Sequence, residues 1–210
     1  MKDQTAGAVS RREVVELLAA IPAGLLLGCS TDVAQRMSRA AREVGAHRAS
    51  GARFDPKFFT PEEYQTVKLL GDMIIPQDAR SGSASQAGVP EFMDFMMADQ
   101  DTPEDGRTAM RGGLGWIDAE CQDRFGRRFV DCTSKEREEL LNDIAWPARA
   151  RPEMRPGVAF FNSFRDLTAS GFWSSEMGVR DLRYEGNRFV PQWSGCPESV
   201  LQKLGLSYES

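Results

Sequence analysis

Thr60-Pro61-Glu62-Glu63 is followed by Tyr64, Val67, Leu70 and Ile74, and no other feature limits the architecture of this chain as much. A Thr three residues before a Glu is a capping box, and Pro at the first helical position loses an N–H that has no partner there anyway. Apolar residues at three- and four-residue spacing then describe one helix face, which Ile75-Pro76 closes. The pattern recurs. Pro90 opens a helix carrying Phe92, Met93, Phe95, Met96 and Met97. Thr102-Pro103-Glu104 opens another with Leu114, Ile117, Cys121 and Phe125, in which Gly112, Gly113 and Gly115 are expected as an interruption. Thr133-Ser134 begins a fourth, burying Leu140, Leu141 and Ile144, and a fifth over about 157–169 presents Val158, Phe161, Phe164 and Leu167. Residues 77–88 read as a loop, and Pro197 to Leu204 as a short closing helix. No run sustains a period of two, so the fold class is all-α, a compact domain of five to six helices.

From Gly171 the texture changes. Phe172, Trp173, Tyr184, Phe189 and Trp193 alternate with turn residues, among them Asn187, over some 25 positions. Such aromatics are interface residues, and an irregular arm with this much Gly and Pro does not fit wholly into one core. Two readings stand at this point: the arm grips a partner, or it wraps and seals the helical domain.

The first thirty residues form a separate unit. Ser10-Arg11-Arg12 precedes an apolar run, Leu17 to Leu27, ending Leu26-Leu27-Gly28-Cys29. Eleven residues rise only about 16 Å as a helix, well short of the roughly 30 Å of a bilayer core. A positive flank, a short apolar stretch and a small residue before a cut point make residues 1–29 a signal peptide. The pair Arg11-Arg12 resembles the twin-arginine type, and Cys29 is the lipidation candidate of a lipobox-like end. The chain is therefore expected in the periplasm, with membrane contact through the signal peptide or a lipid only. Residues 30–57, rich in Ala and Arg, read as a tether, and residues 58–210 as the domain.

Composition excludes several functions. Net charge is −5 over 210 residues, with 41% hydrophobic and 27% charged content, which gives no basic face for nucleic acid. The single histidine, His47, falls in the tether as a solvated linker residue, so Ser/His/Asp and Cys/His triads, most zinc sites and His-ligated haem have no base or ligand. Gly112-Gly113-Leu114-Gly115 lacks the strand and the third glycine of a dinucleotide fingerprint. Acids such as Glu62-Glu63 and Glu104-Asp105 cluster in first helical turns, where they complement the dipole. With Cys29 lipidated, Cys121, Cys132 and Cys196 remain as disulfide candidates. Cys121 and Cys132 can close a short loop, or all can stay buried thiols. Catalytic, cofactor and metal residues are expected to be absent from this chain.

Taken in order, Phe59-Thr60-Pro61-Glu62-Glu63, Ile74-Ile75-Pro76, Ala87-Gly88-Val89-Pro90-Glu91-Phe92, Phe125-Gly126-Arg127-Arg128-Phe129, Phe160-Phe161 and Gly171-Phe172-Trp173 with Met177-Gly178 resemble the gluconate 2-dehydrogenase subunit 3 family. Tyr184-Glu185-Gly186-Asn187 and Trp193-Ser194-Gly195-Cys196-Pro197 resemble the subgroup found beside FAD-dependent glucoside and glucose dehydrogenases. The resemblance implies a non-catalytic small subunit. Its partner would be a large flavoprotein of the glucose-methanol-choline type, which holds FAD and oxidises the sugar, with a cytochrome c or another carrier taking the electrons. It also implies that the small subunit supplies the export signal and that both cross the membrane folded. The lipobox-like Cys29 departs from the general family pattern. The alternative is a free-standing exported lipoprotein that binds a carbohydrate or another periplasmic protein through its aromatic arm.

Overall fold

The computed structural model describes residues 31–184, 186, 191–192 and 195–207. Among these the chain forms α1 (Thr31–Ser50), α2 (Pro61–Ile74), α3 (Ala84–Ala87), α4 (Val89–Ala98), α5 (Glu104–Phe125), α6 (Ser134–Ile144), α7 (Arg155–Trp173), α8 (Glu176–Leu182) and α9 (Glu198–Leu204). There is no strand among the described residues, so the all-α class holds. The capping boxes at Thr60 and Thr133 both close as expected, each hydroxyl accepting from an N–H three residues on, with Glu63 and Glu136 returning the bond.

α7 is the axis of the domain and packs against each of α1 to α6 and α8. Its inward face is Gly157, Phe160, Phe161, Phe164, Thr168, Gly171 and Phe172, all buried. Around it lie Val67 and Leu70 of α2, Phe92 and Met93 of α4, Leu114 and Ile117 of α5, and Leu140 and Ile144 of α6. Burying a Leu or Phe side chain contributes about 1.5–3 kcal/mol, so this shared face is what makes the helices mutually dependent.

Three sequence expectations change. First, residues 31–50 are not a free tether. α1 lies along α4 with Ala40 and Val44 in the core. Arg36 Nη1 donates to Thr102 Oγ1 at 2.9 Å and Asp101 O at 3.2 Å, and Arg48 donates to Gln86 O at 2.7 Å. Arginines thus pin both ends of a helix that has few large apolar side chains, and His47 packs edge-on against Phe54, centroids 5.1 Å apart, rather than lying in solvent.

Second, α5 runs unbroken through its glycines. A Cβ on Gly113 would lie 1.9 Å from the Phe160 ring, and one on Gly157 would lie 2.2 Å from Trp116. Each of α5 and α7 supplies a glycine to seat an aromatic ring of the other. The glycines buy close approach, and that packing outweighs the roughly 1 kcal/mol each costs in helix propensity.

Third, α7 extends to Trp173. Phe172, expected on the partner surface, is 1% exposed and belongs to the core. Residues 176–182, read as part of the irregular arm, form α8.

Candidate partner interface

The corner between α7 and α8 is built by one serine and one glycine. Ser175 Oγ donates to Phe172 O at 2.6 Å and accepts from Gly178 N at 3.1 Å. It therefore ties off a spent carbonyl of α7 and an unpaired N–H of α8 together. Gly178 is buried where a Cβ would lie 2.1 Å from Phe172 O. Arg80 holds the far end of α8, donating to Asp181 O and pairing with its carboxylate at 2.8 Å. Arg183, at φ 53°, then turns the chain out of the helix.

Around and beyond this corner several apolar side chains among the described residues are exposed. Trp173 stands edge-on to Phe172, centroids 4.9 Å apart, with 40% of its surface exposed. Leu182 and Tyr184 are exposed at 55% and 64%. α9 has no buried residue, and Val200, Leu204 and Leu206 on it and just after it are exposed. Isolated exposed Leu residues are ordinary, but a series of this kind on successive elements makes this end of the chain the candidate for a partner surface.

Of the residues expected to face a partner, Trp173 and Tyr184 are exposed, whereas Phe172 is buried. Asn187, Phe189 and Trp193 lie outside the described residues, as do Arg11, Arg12 and Cys29. Sequence reasoning passed over Val200, Leu204 and Leu206. The available signal was an apolar face on a seven-residue helix with no obvious partner segment.

Three of the buried and half-buried acids hold backbone. Asp94, fully buried, accepts from Lys57 N at 2.8 Å and from Phe58 N and Phe59 N at 3.0 Å each. Asp72 accepts from Ser85 N and Ser85 Oγ, and Asp118 from Phe129 N. No group of three or more His, Cys, Asp or Glu is placed to hold a metal among the described residues. No helix among them is long and apolar enough to cross a membrane.

Cys121 of α5 and Cys132, after the 3-10 turn Phe129–Asp131, are both buried thiols that contact one another, whereas Cys196 is exposed. Burial, then the neighbouring Cys132, push the Cys121 thiol up to about 12. The unfolded thiol loses its proton near 9, so above that pH the unfolded chain releases a proton that the folded chain keeps. Stability should then fall by up to about 1.4 kcal/mol per pH unit, starting at pH 9. Burial and Glu91 raise the Tyr64 phenol too, adding a loss above its ordinary value of 10. Urea melts from pH 8.5 to 10 should show the slope in the native sequence and a flatter one in Cys121→Ala; equal slopes would refute the assignment.

A family model described as gluconate 2-dehydrogenase subunit 3 matches residues 61–191, more than half of the chain. No curated protein and no solved structure matches it.

Proposed function

Because the chain belongs to the gluconate 2-dehydrogenase subunit 3 family, we propose that it is the non-catalytic small subunit of an FAD-dependent sugar dehydrogenase, carrying the export signal and stabilising the large flavoprotein. FAD and the sugar site then belong to a glucose-methanol-choline type partner, and electrons leave through a cytochrome c or a similar carrier. Arg11 and Arg12 direct the folded pair to the periplasm, and Cys29 is the point of lipid attachment. The observation that carries this reading is the outward apolar series Trp173, Leu182, Tyr184, Val200, Leu204 and Leu206, on a chain whose family is that of a dehydrogenase subunit. A subunit that binds a large partner needs such a surface.

Co-expression with the flavoprotein tests both halves. Lys at Arg11 and Arg12 should lower periplasmic dehydrogenase activity at least tenfold, and unchanged activity would end the escort role. Trp173→Ala combined with Leu204→Ala should weaken capture of the flavoprotein about thirtyfold, equivalent to about 2 kcal/mol at a buried anchor. The free-standing carbohydrate-binding reading draws on the same exposed Trp173 and Tyr184. Sugar affinity in the isolated chain, lost with these substitutions and with no flavoprotein captured, would favour it.

A further inference from the structure

α5 ends at Gly126, whose φ of 70° reverses the chain, and the 3-10 turn Phe129–Asp131 returns along the helix it has just left. Asp118 of α5 accepts from Phe129 N at 3.0 Å. Three residues further along each segment, Cys121 meets Cys132. Both contacts join residues eleven apart in sequence, so the turn is held in one register at its two ends. Arg137 of α6 fixes it from the other side, donating to the carbonyls of Phe129, Val130 and Cys132. The two thiols are 0% and 4% exposed. We propose that Cys121 and Cys132 are a bridging site: given a disulfide oxidant, they form an intrachain disulfide that staples the end of α5 to the entry of α6.

Contacting cysteines can ligate a metal, exchange electrons or form a lasting bridge, and the surroundings favour the last. A metal needs further ligands, and no group of three or more His, Cys, Asp or Glu is placed to hold one among the described residues. A reactive redox dithiol needs an exposed thiolate at ordinary pH. Cys121 has no exposed surface, and burial pushes its thiol up to about 12. A structural bridge needs two side chains in contact on fixed backbones, so that rotation and a small shift complete it. This pair has both, since Asp118 and Arg137 hold the backbone on either side of the turn. Ten residues lie between the cysteines. The bond therefore acts on the unfolded chain, whose freedom over that loop it removes.

The bond forms by two exchanges. The thiolate of one cysteine attacks the S–S bond of the oxidant, giving a mixed disulfide and releasing one thiol. The other cysteine then attacks that mixed disulfide and releases the second thiol. The pair gives up two electrons and two protons, and the oxidant becomes two thiols. Burial slows both steps in the closed fold, so the reaction runs when the turn opens, and the chain folds first and is stapled later. An oxidising compartment supplies the oxidant. Reaching one rests on the export reading, whereas the bond itself is measured on the isolated chain. The alkaline loss of stability assigned to Cys121 belongs to the dithiol form.

The test takes the full chain, reduced and then freed of reductant, into oxidised glutathione and digests it with trypsin without further reduction. Cleavage after Arg111, Arg124, Arg128 and Lys135 puts the two cysteines on separate peptides, 112–124 and 129–135. Most chains should yield these peptides joined, about 2 Da lighter than the two thiol peptides together. The bridged chain should melt about 5–10 °C above the reduced one. Cys132→Ser, or Cys132→Ala where serine fails to fold, should abolish the joined peptides and the gain in melting temperature together. Glutathione adducts that never resolve into joined peptides would overturn the site, as would bonds from either cysteine to Cys29 or Cys196. So would thiols at both positions that iodoacetamide still alkylates, once the chain is unfolded, after overnight oxidation in sub-denaturing urea. A bridged chain that melts no higher than the reduced one would overturn the staple. A bridge that forms as expected in a chain that captures no flavoprotein would remove the proposed function alone.

Discussion

Gly178→Ala is expected to destabilise the protein by about 3 kcal/mol, although alanine is the better helix former. The added methyl would stand 2.1 Å from Phe172 O and 3.0 Å from the Trp173 Cα. Both are backbone atoms of the end of α7, which cannot swing aside as a side-chain tip does, so α8 must move off α7 as a body. Overpacking of this kind costs about 1–3 kcal/mol, and rigid neighbours place the site at the upper end. At this chain length the melting temperature should drop by about 6–12 °C. Gly112→Ala is the internal control. It sits in open helix surface and should raise stability by about 0.5–1 kcal/mol. Melts followed by circular dichroism decide it: a variant at position 178 as stable as the parent would show that the α7–α8 corner is loose. The same variant should weaken flavoprotein capture, because Trp173 and Tyr184 flank the joint that moves.

Asp94→Ala is the second large effect. One buried carboxylate satisfies three consecutive backbone N–H groups, those of Lys57, Phe58 and Phe59. This turn also delivers Phe59, 4% exposed, into the core and positions Thr60 to cap α2. Hydrogen bonds to a charged group contribute about 1.5–3 kcal/mol each, and stranded donors recover some of that by opening to water. The net loss should be about 3–5 kcal/mol. Asp94→Asn keeps one carbonyl oxygen and should lose about half as much. Hydrogen exchange gives a local readout: the amides of residues 57–59 should lose protection in the alanine variant before the helices do. Unchanged protection there would refute the role given to Asp94.

What could be read directly from the residues was what is local. The boxes at Thr60 and Thr133 are four-residue signals with their own geometry, and both helices begin within a residue of where those signals put them. The errors lie where distant residues decide. Gly113 and Gly157 look like weak points along their own helices, yet each is the seat for an aromatic ring some 45 residues away in sequence. The docking of α1 escaped notice because its attachment uses Ala40 and the long arms of Arg36 and Arg48, which hydrophobic periodicity does not count. Phe172 and Trp173 are neighbours of the same type, and only the direction in which α7 leaves them, one to the core and one to the surface, separates their roles. The exposed face of α9 carries ordinary leucines and a valine, and nothing in their spacing says whether a partner segment lies within the chain or outside it.

That α7 touches seven other helices also sets an order in time. Residues 155–173 form a surface shared by the earlier helices, and α5 and α6, which lean on it most, lack that neighbour while those residues are still unsynthesised. At about 5–20 residues per second, the roughly 140 positions from the start of α1 to the end of α7 take about 7–30 s to make. Throughout that interval α1 to α6 lack the helix that joins them all, although α1, α2 and α3 can pack on α4 once it is made. The domain then closes around its last long helix nearly at once. Any process that waits for a folded chain, assembly with a flavoprotein or passage through a folded-state exporter, is thereby timed by the emergence of Trp173 from the ribosome rather than by any earlier residue.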